Sequence, residues 1–305
     1  MTPVNPPSPL AQRISVVVLT HNRVDALARC LRQLRALPEQ VPIVVVDNAS
    51  EDGTPDRLAR DFPDVRLLRS EVNLGAAARN FGVAAVHTPY VAFCDDDTWW
   101  APGALALAAR CLDAHPRVAA ISAQVRVGRQ RRRDPTCDAM AASPLPRQGL
   151  PGPALVGFMA GTAVVRVSAY QQVGGYEPRF FLGGEAALLG LDLLSAGWSI
   201  VYADDIVSHH HPSPLGRDLR GRHIALARNR LWLGCLRLPW RTAWADARAV
   251  IERAAHDHVL VPALVQALQG LPWALTHRRV VPQAVEASYR AVNLPQAASP
   301  SSSPH

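Results

Sequence analysis

Between Ile14 and Val125, short β-branched runs alternate with stretches of helical spacing. That alternation limits the fold more than any other feature of the chain. ISVVVLT (Ile14 to Thr20) is too apolar on both faces to be a solvated edge strand. Val24, Leu27, Leu31 and Leu34 then recur at helical intervals. VPIVVVD (Val41 to Asp47) reads as a second buried strand, and NASEDGT turns the chain into a helix. VRLLRS, YVAFCD (Tyr90 to Asp95) and Val118 to Val125 are the next strands, with helices over Ala76 to Ala85 and Ala104 to Leu112. Strands and helices in this order predict an α/β fold with a mostly parallel sheet and helices on both faces. Ligands bind beyond the carboxyl ends of such strands, which is where THN, DNAS and DDD fall.

The pattern breaks at 126–155, where RVGRQRRRDP and a Pro-rich stretch predict an irregular insertion. Order returns with GTAVVRVSAYQQVGGY as a strand, a short helix and a Gly-Gly turn. Glu185 to Ala196 follows as a helix, WSIVYAD as a strand and HHHPSP as a loop. From about Arg217 the chain is expected to be helical. The organisation expected is a flexible N-terminus over 1–13, a catalytic domain over 14–211, a helical extension over 212–295 and a disordered tail over 296–305.

Composition narrows the function classes. With 305 residues, 49% hydrophobic and 19% charged, the chain is neither disordered nor a disulfide-stapled miniprotein. The five cysteines include no CxxC pair, against a metal-thiolate site or a disulfide framework. No run approaches the ~20 apolar residues that span a bilayer. MTPVNPPSPLAQR lacks the basic-then-apolar pattern of a secretory leader, so the expected location is cytoplasmic, with membrane association kept open. All 32 basic residues are arginines, and the net charge of +7 favours an anionic partner.

Asp95-Asp96-Asp97 closes a hydrophobic strand. Adjacent carboxylates repel unless a cation or hydrogen-bond donors neutralise them, and hard oxygen ligands suit Mg²⁺ or Mn²⁺ shared with substrate phosphates. The alternative is a solvated acidic turn. Asp47 to Ser50 ends the second strand, where Asp47 could accept from a base imide or a ribose hydroxyl; an Asx turn with an N-cap is the plainer reading. Asn73 to Asn80 opens a helix whose N-terminal amides, with Arg79, make a phosphate-attracting corner, or an ordinary helix start with a surface arginine.

Taken in order, VVVLTHNR, VVVDNASEDGT, NLGAAARN, FCDDD, GTAVVR with VGGY, and FFLGGE…AGW resemble the family 2 glycosyltransferases from about Ile14 to His211. The resemblance implies a GT-A fold (Rossmann-like, as in nucleotide-diphospho-sugar transferases) with a C-terminal helical extension, and an inverting, metal-assisted transfer. It implies Thr20 and Asn22 at the nucleotide, Asp47 reading the base beside Asn48, and Arg79 and Asn80 positioning the donor. Asp95 to Asp97 matches the family's DxD motif, with Asp97 and Asp95 toward the metal and Asp96 nearer the ribose. Gly161 and Thr162 fall where the acceptor pocket is built. His210 is the histidine expected near metal and diphosphate, from its spacing after Tyr202. The cofactor implied is Mg²⁺ or Mn²⁺, the donor a nucleotide-diphospho-sugar, and the acceptor a hydroxyl on a glycan, a lipid-linked molecule or a small molecule.

The family's base is the second carboxylate of a Glu-Asp pair before a helix. Here the stretch is Gly184-Glu185-Ala186, with Ala186 at the base position. Glu185 is the candidate catalytic carboxylate, since neighbouring helix positions differ by about 100°. Asp192, about 10 Å along the axis, cannot serve the same proton. Ala186 also supports the rival of a degenerate fold that binds a nucleotide sugar or a partner without turnover. A nucleotidyltransferase or a dinucleotide-binding oxidoreductase would want glycines after the first strand, and THNRVDA has none. Nucleic acid has only RQRRR in its favour and is not an expected partner. Arg217 to Arg237, interleaved with Trp232 and Leu233, could meet a diphosphate or an anionic membrane surface, or pack as an ordinary helix.

Overall fold

The computed structural model describes residues 9–147, 149–212 and 218–294. The chain divides between Leu219 and Arg220 into two compact units. Residues 1–8 of the expected flexible N-terminus, Arg217 of the basic stretch and the expected tail at 296–305 lie outside the described residues.

The first unit is an α/β sheet protein. Its elements are β1 (Ile14–Thr20), α1 (Val24–Arg35), β2 (Ile43–Asn48), α2 (Thr54–Asp61), β3 (Arg66–Ser70), α3 (Arg79–Ala85), β4 (Tyr90–Asp95), β5 (Thr98–Trp100), α4 (Ala104–Ala114) and β6 (Val118–Val127). After these come β7 (Arg132–Arg133), α5 (Pro135–Ala141), β8 (Ala163–Arg166), α6 (Val167–Gln172), α7 (Glu185–Ser195) and β9 (Ser199–His210). The sheet order is β3-β2-β1-β4-β8-β6-β9-β5, with β7 paired to β6. Parallel pairing runs through β3-β2-β1-β4 and recurs at β6-β9, whereas β8 and β5 are antiparallel to their neighbours.

Alternation along the strands builds a core on each face. Val16 and Val18 turn toward Leu27, Leu31, Leu105 and Leu112. Val17, between them, turns toward Val83, Phe93, Tyr170 and Leu189. With both faces covered, the inner strands must be apolar throughout, which is why they read as unbroken β-branched runs.

Several expectations change. Residues 126–155 are not wholly irregular: β6 runs on to Val127 and pairs with β7, and α5 follows. Asp134 caps α5 by accepting from the Thr136 N–H, and Pro135 supplies a first-turn φ that suits a helix. The helix expected from Ala76 begins as a 3₁₀ turn over Gly75–Ala78 and becomes α only at Arg79. Pro9–Gln12, inside the stretch expected to be flexible, form a 3₁₀ turn with Ala11 buried. His209 and His210, expected in a loop, are the end of β9 and pair with Trp99 and Thr98 of β5.

The second unit is helical: α8 (Leu219–Arg237), α9 (Trp240–His256), α10 (Leu260–Gln269), α11 (Leu271–Thr276) and α12 (Gln283–Asn293). On α8, Trp232 and Leu233 are buried. Trp232 donates to the Ala267 carbonyl and packs edge-on to Trp273, and Arg230 grips the buried Asp246 through two donors. Trp232 and Leu233 of the basic stretch are therefore inside this unit, whereas Leu219 and Leu226 of the same helix are exposed. No described helix is long and apolar enough to cross one.

Candidate active site

The carboxyl ends of β1, β2 and β4 and the end of β9 bring the site residues together. Thr20, the last residue of β1, is buried and donates to Asp96 Oδ2 at 3.1 Å. Three residues on, Arg23 Nη2 donates to Asp97 Oδ2 at 3.0 Å, while Nη1 lies 2.8 Å from Asp96 Oδ1, off the line of a hydrogen bond. One guanidinium thus holds both carboxylates. Arg23 stands inside the run THNR, where nothing in the sequence marks its distant partners.

The acidic turn is tied by Thr98, also unremarked in the sequence. Its hydroxyl accepts from the Asp95 N–H and lies within reach of the Asp95 and Gly161 carbonyls. Burial pushes the Asp96 carboxyl up to about 7, helped by Asp97 and Asp95 and opposed by Arg23 and Thr20. At Asp97 burial also raises the pKa, but His210 and Arg23 outweigh it and hold the carboxyl below its ordinary value.

Strand periodicity sorts the three histidines. His209 and His211 share one side, with Trp99 ring centroids 5.9 and 4.7 Å away. His210 points the other way, its Nε2 3.5 Å from Asp97 Oδ1. A carboxylate with an imidazole beside it is a donor pair that could take a divalent cation. Among the described residues no three His, Cys, Asp or Glu side chains form a preformed cage. The residues fit a cation that takes its remaining ligands from donor phosphates.

Arg79 and Glu185 lie further along the same edge. Arg79 is buried, pairs with Asp95 and stacks over Phe93. Burial disfavours its charge, but Asp95, Tyr176 and Glu185 more than restore it. Gly184, in the left-handed region with φ of 84°, starts α7 so that Glu185 becomes its first residue. Glu185 is 7% exposed, and burial raises the pKa of its carboxyl against the pull of nearby backbone N–H groups and Arg79. Ala186 instead packs on the apolar cluster of Phe93 and Leu189. Glu185 Oε2, Arg79 Nε, Thr162 Oγ1 and Asp47 Oδ2 are all buried without a hydrogen-bond partner. Each such atom calls for an explanation, and a polar ligand at this edge is one that would satisfy them.

The other expected residues divide by what their side chains already do. Asp47 is fully buried, accepts from the Ser50 N–H at 3.1 Å and has Arg69 Nε 3.5 Å from its second oxygen. Asn22, at φ 52°, takes its main-chain N–H to Ser50 and accepts from the Glu51 N–H, which closes the β1 and β2 loops on each other. Asn48 bonds Asn73, Leu74 and Gly75, and Asn80 bonds Tyr170 and Tyr176. These two amides hold loops in position. Asn80→Ala is therefore expected to strand the Tyr176 main-chain groups and lower stability by about 1–3 kcal/mol, read from urea unfolding.

Gly161 abuts the acidic turn: a Cβ built on it would clash with Asp95 Oδ2. Gly161→Ala should push Asp95 off Arg79 and weaken donor binding roughly tenfold, measured by titration calorimetry.

The family model described as glycosyl transferase family 2 matches residues 15–174. An N-acetylglucosaminyl-diphospho-decaprenol L-rhamnosyltransferase of Mycobacterium tuberculosis is 30% identical over 244 residues, covering 67% of this chain and 78% of the relative. Among solved structures, Staphylococcus aureus TarS 1–349 with UDP-GlcNAc superposes with a TM-score of 0.59 at 16% identity, over 92% of this chain and 87% of that one. The mannosyltransferase PcManGT of Pyrobaculum calidifontis, with GDP-Man and Mn²⁺, gives 0.54 at 20% identity over the same shares.

Proposed function

The chain belongs to glycosyl transferase family 2 and is a glycosyltransferase that uses nucleotide sugars; from that premise we propose that it inverts the sugar it transfers, with Glu185 as general base. The observation that carries the reading is the division of labour at the start of α7. Glu185 keeps a buried, unpartnered carboxylate oxygen beside Arg79, while Ala186 turns into the apolar cluster. The first acidic position is thereby the one available for chemistry.

In this reading Asp47 accepts from the base, Asp96 and Thr20 face the ribose, and Arg79 with Asp95 sets the floor beneath the donor sugar. Asp97 and His210, with Asp95 beside them, would hold Mg²⁺ or Mn²⁺. The cation, when bound, neutralises charge on the departing nucleoside diphosphate. Arg23, released from Asp97, adds a second positive charge on that side. Gly161 and Thr162 border the acceptor. The acceptor hydroxyl gives its proton to Glu185 as its oxygen attacks the anomeric carbon from the face opposite the diphosphate, so the C–O bond formed is inverted relative to the one broken. The rhamnosyltransferase relative, named for a diphospho-decaprenol acceptor, favours a glycan or lipid-linked hydroxyl over a small molecule.

Ala186 also supports a second reading, a fold that binds the donor without turnover. A thermal-shift panel of UDP-, GDP- and dTDP-sugars, each with Mn²⁺ or EDTA, tests the donor site. One nucleotide at ~100 times its Kd should add about 2.7 kcal/mol of stability in the presence of metal. No shift with any of them removes the donor assignment.

A further inference from the structure

The chain's net charge is unevenly placed. Residues 220–294 hold eleven arginines against four acidic residues, an excess of +7, while the rest of the chain balances twenty-one against twenty-one. The second unit therefore carries the whole excess.

The same unit turns its larger apolar side chains outward on two helices. On α9, Trp240, Trp244 and Ile251 fall within about 40° of one another at 100° per residue, and Trp244 is 71% exposed. The buried residues of α9, among them Ala243, Asp246, Val250 and Ala254, occupy a different side. On α10, which contains no charged residue, Val261, Val265 and Leu268 repeat at four and three and are at least half exposed. Only Ala263 and Ala267 of α10 are buried. Both helices thus pack inward largely through small side chains and leave tryptophan, valine and leucine in water, the reverse of an ordinary surface helix.

We propose that the exposed faces of α9 and α10 form a docking surface for an anionic lipid bilayer, on which the second unit lies without crossing it. Charge and shape agree on this occupant. Arg241 and Arg248 lie beside the tryptophan stripe of α9, Arg248 in an exposed ion pair with Glu252, and interfacial helices combine such basic residues with aromatic and aliphatic ones. Tryptophan favours the headgroup level, where its ring is half in hydrocarbon and its N–H stays wet. A second copy of the chain would bring one +7 unit against another, which opposes self-association through this face. An acidic protein would match the arginines but not the uncharged face of α10. The surface is distinct from the basic stretch of α8, whose Trp232 and Leu233 are buried. The proposal does not depend on the transfer reaction, since vesicle binding needs no donor.

The test is flotation of the full chain with vesicles of phosphatidylcholine alone or mixed with phosphatidylglycerol, at low and high salt. Binding to the mixed vesicles should be at least about tenfold tighter than to neutral ones and should weaken with salt. Trp244→Ser with Leu268→Ser should lower it roughly tenfold. Arg241→Gln and Arg248→Gln should each lower it roughly fivefold. All four side chains are exposed, so circular dichroism and donor-induced thermal shift should stay at the native values. Equal binding to both vesicle types, no binding to either, or native binding by the variants overturns the proposal. So does a concentration-dependent dimer in sedimentation that Trp244→Ser abolishes, which would make this face a contact between copies.

Discussion

Glu185→Gln is expected to bind the donor like the native protein and to release nucleoside diphosphate about 10²–10⁴-fold more slowly, the usual contribution of a general base. The amide keeps the size and one acceptor of the carboxylate but cannot take a proton. The same substitution should raise stability at neutral and higher pH. The native carboxyl is buried, and burial sets its folded pKa above the ordinary glutamate value. Its neutral form is therefore favoured by the fold: the stabilisation is complete below the unfolded pKa and is lost as pH rises through the folded one. The glutamine side chain is neutral throughout. The variant's advantage in melting temperature should thus vanish in acid, grow as pH rises toward the raised pKa and level off above it. Turnover by the native protein should fall on the acid side of that pKa, as the base protonates. Together, faster melting at high pH with native turnover in Glu185→Gln would mean that the carboxylate is a structural helix-start acid and no base.

The second large effect is at Asp97. Asp97→Ala should abolish metal-dependent turnover, a loss of about 10³-fold or more, since neutralising the leaving group is worth several kcal/mol. Fold loss is not expected: the side chain contacts Arg23 and His210, and Arg23 retains Asp96. Mn²⁺ binding by electron paramagnetic resonance, in the presence of the donor nucleotide, should weaken in parallel. Retained metal-dependent turnover, or unchanged Mn²⁺ affinity, removes Asp97 from the metal site.

The strands that carry this site were legible because burial on both faces leaves each a continuous apolar run ending in a polar cluster, as at Thr20, Asp47 and Asp95. The orientation of His210 was not legible in a run expected to be a loop; strand alternation turns it toward Asp97 and away from Trp99. Arg23 was not, because its partners lie more than seventy residues away and only the fold brings them near. The same holds for the loop contacts of Asn48 and Asn80, whose amide partners lie well away in sequence. Residues 126–155 hid their order behind arginines and prolines, although Asp134-Pro135 is a helix-start signal that could have been read. The exposed faces of α9 and α10 were invisible for the opposite reason. Periodicity marks an apolar stripe, but only packing says whether anything covers it.

The central claim is that a chain with Ala186 at the usual base position still turns over its donor. The direct measurement is release of nucleoside diphosphate from whichever nucleotide sugar shifts the melting temperature, with and without Mn²⁺. Metal-dependent release above the protein-free rate, lost in Glu185→Gln, is the predicted result. Tight donor binding with neither transfer nor hydrolysis would contradict it and leave a donor-binding fold in which Ala186 ended the chemistry.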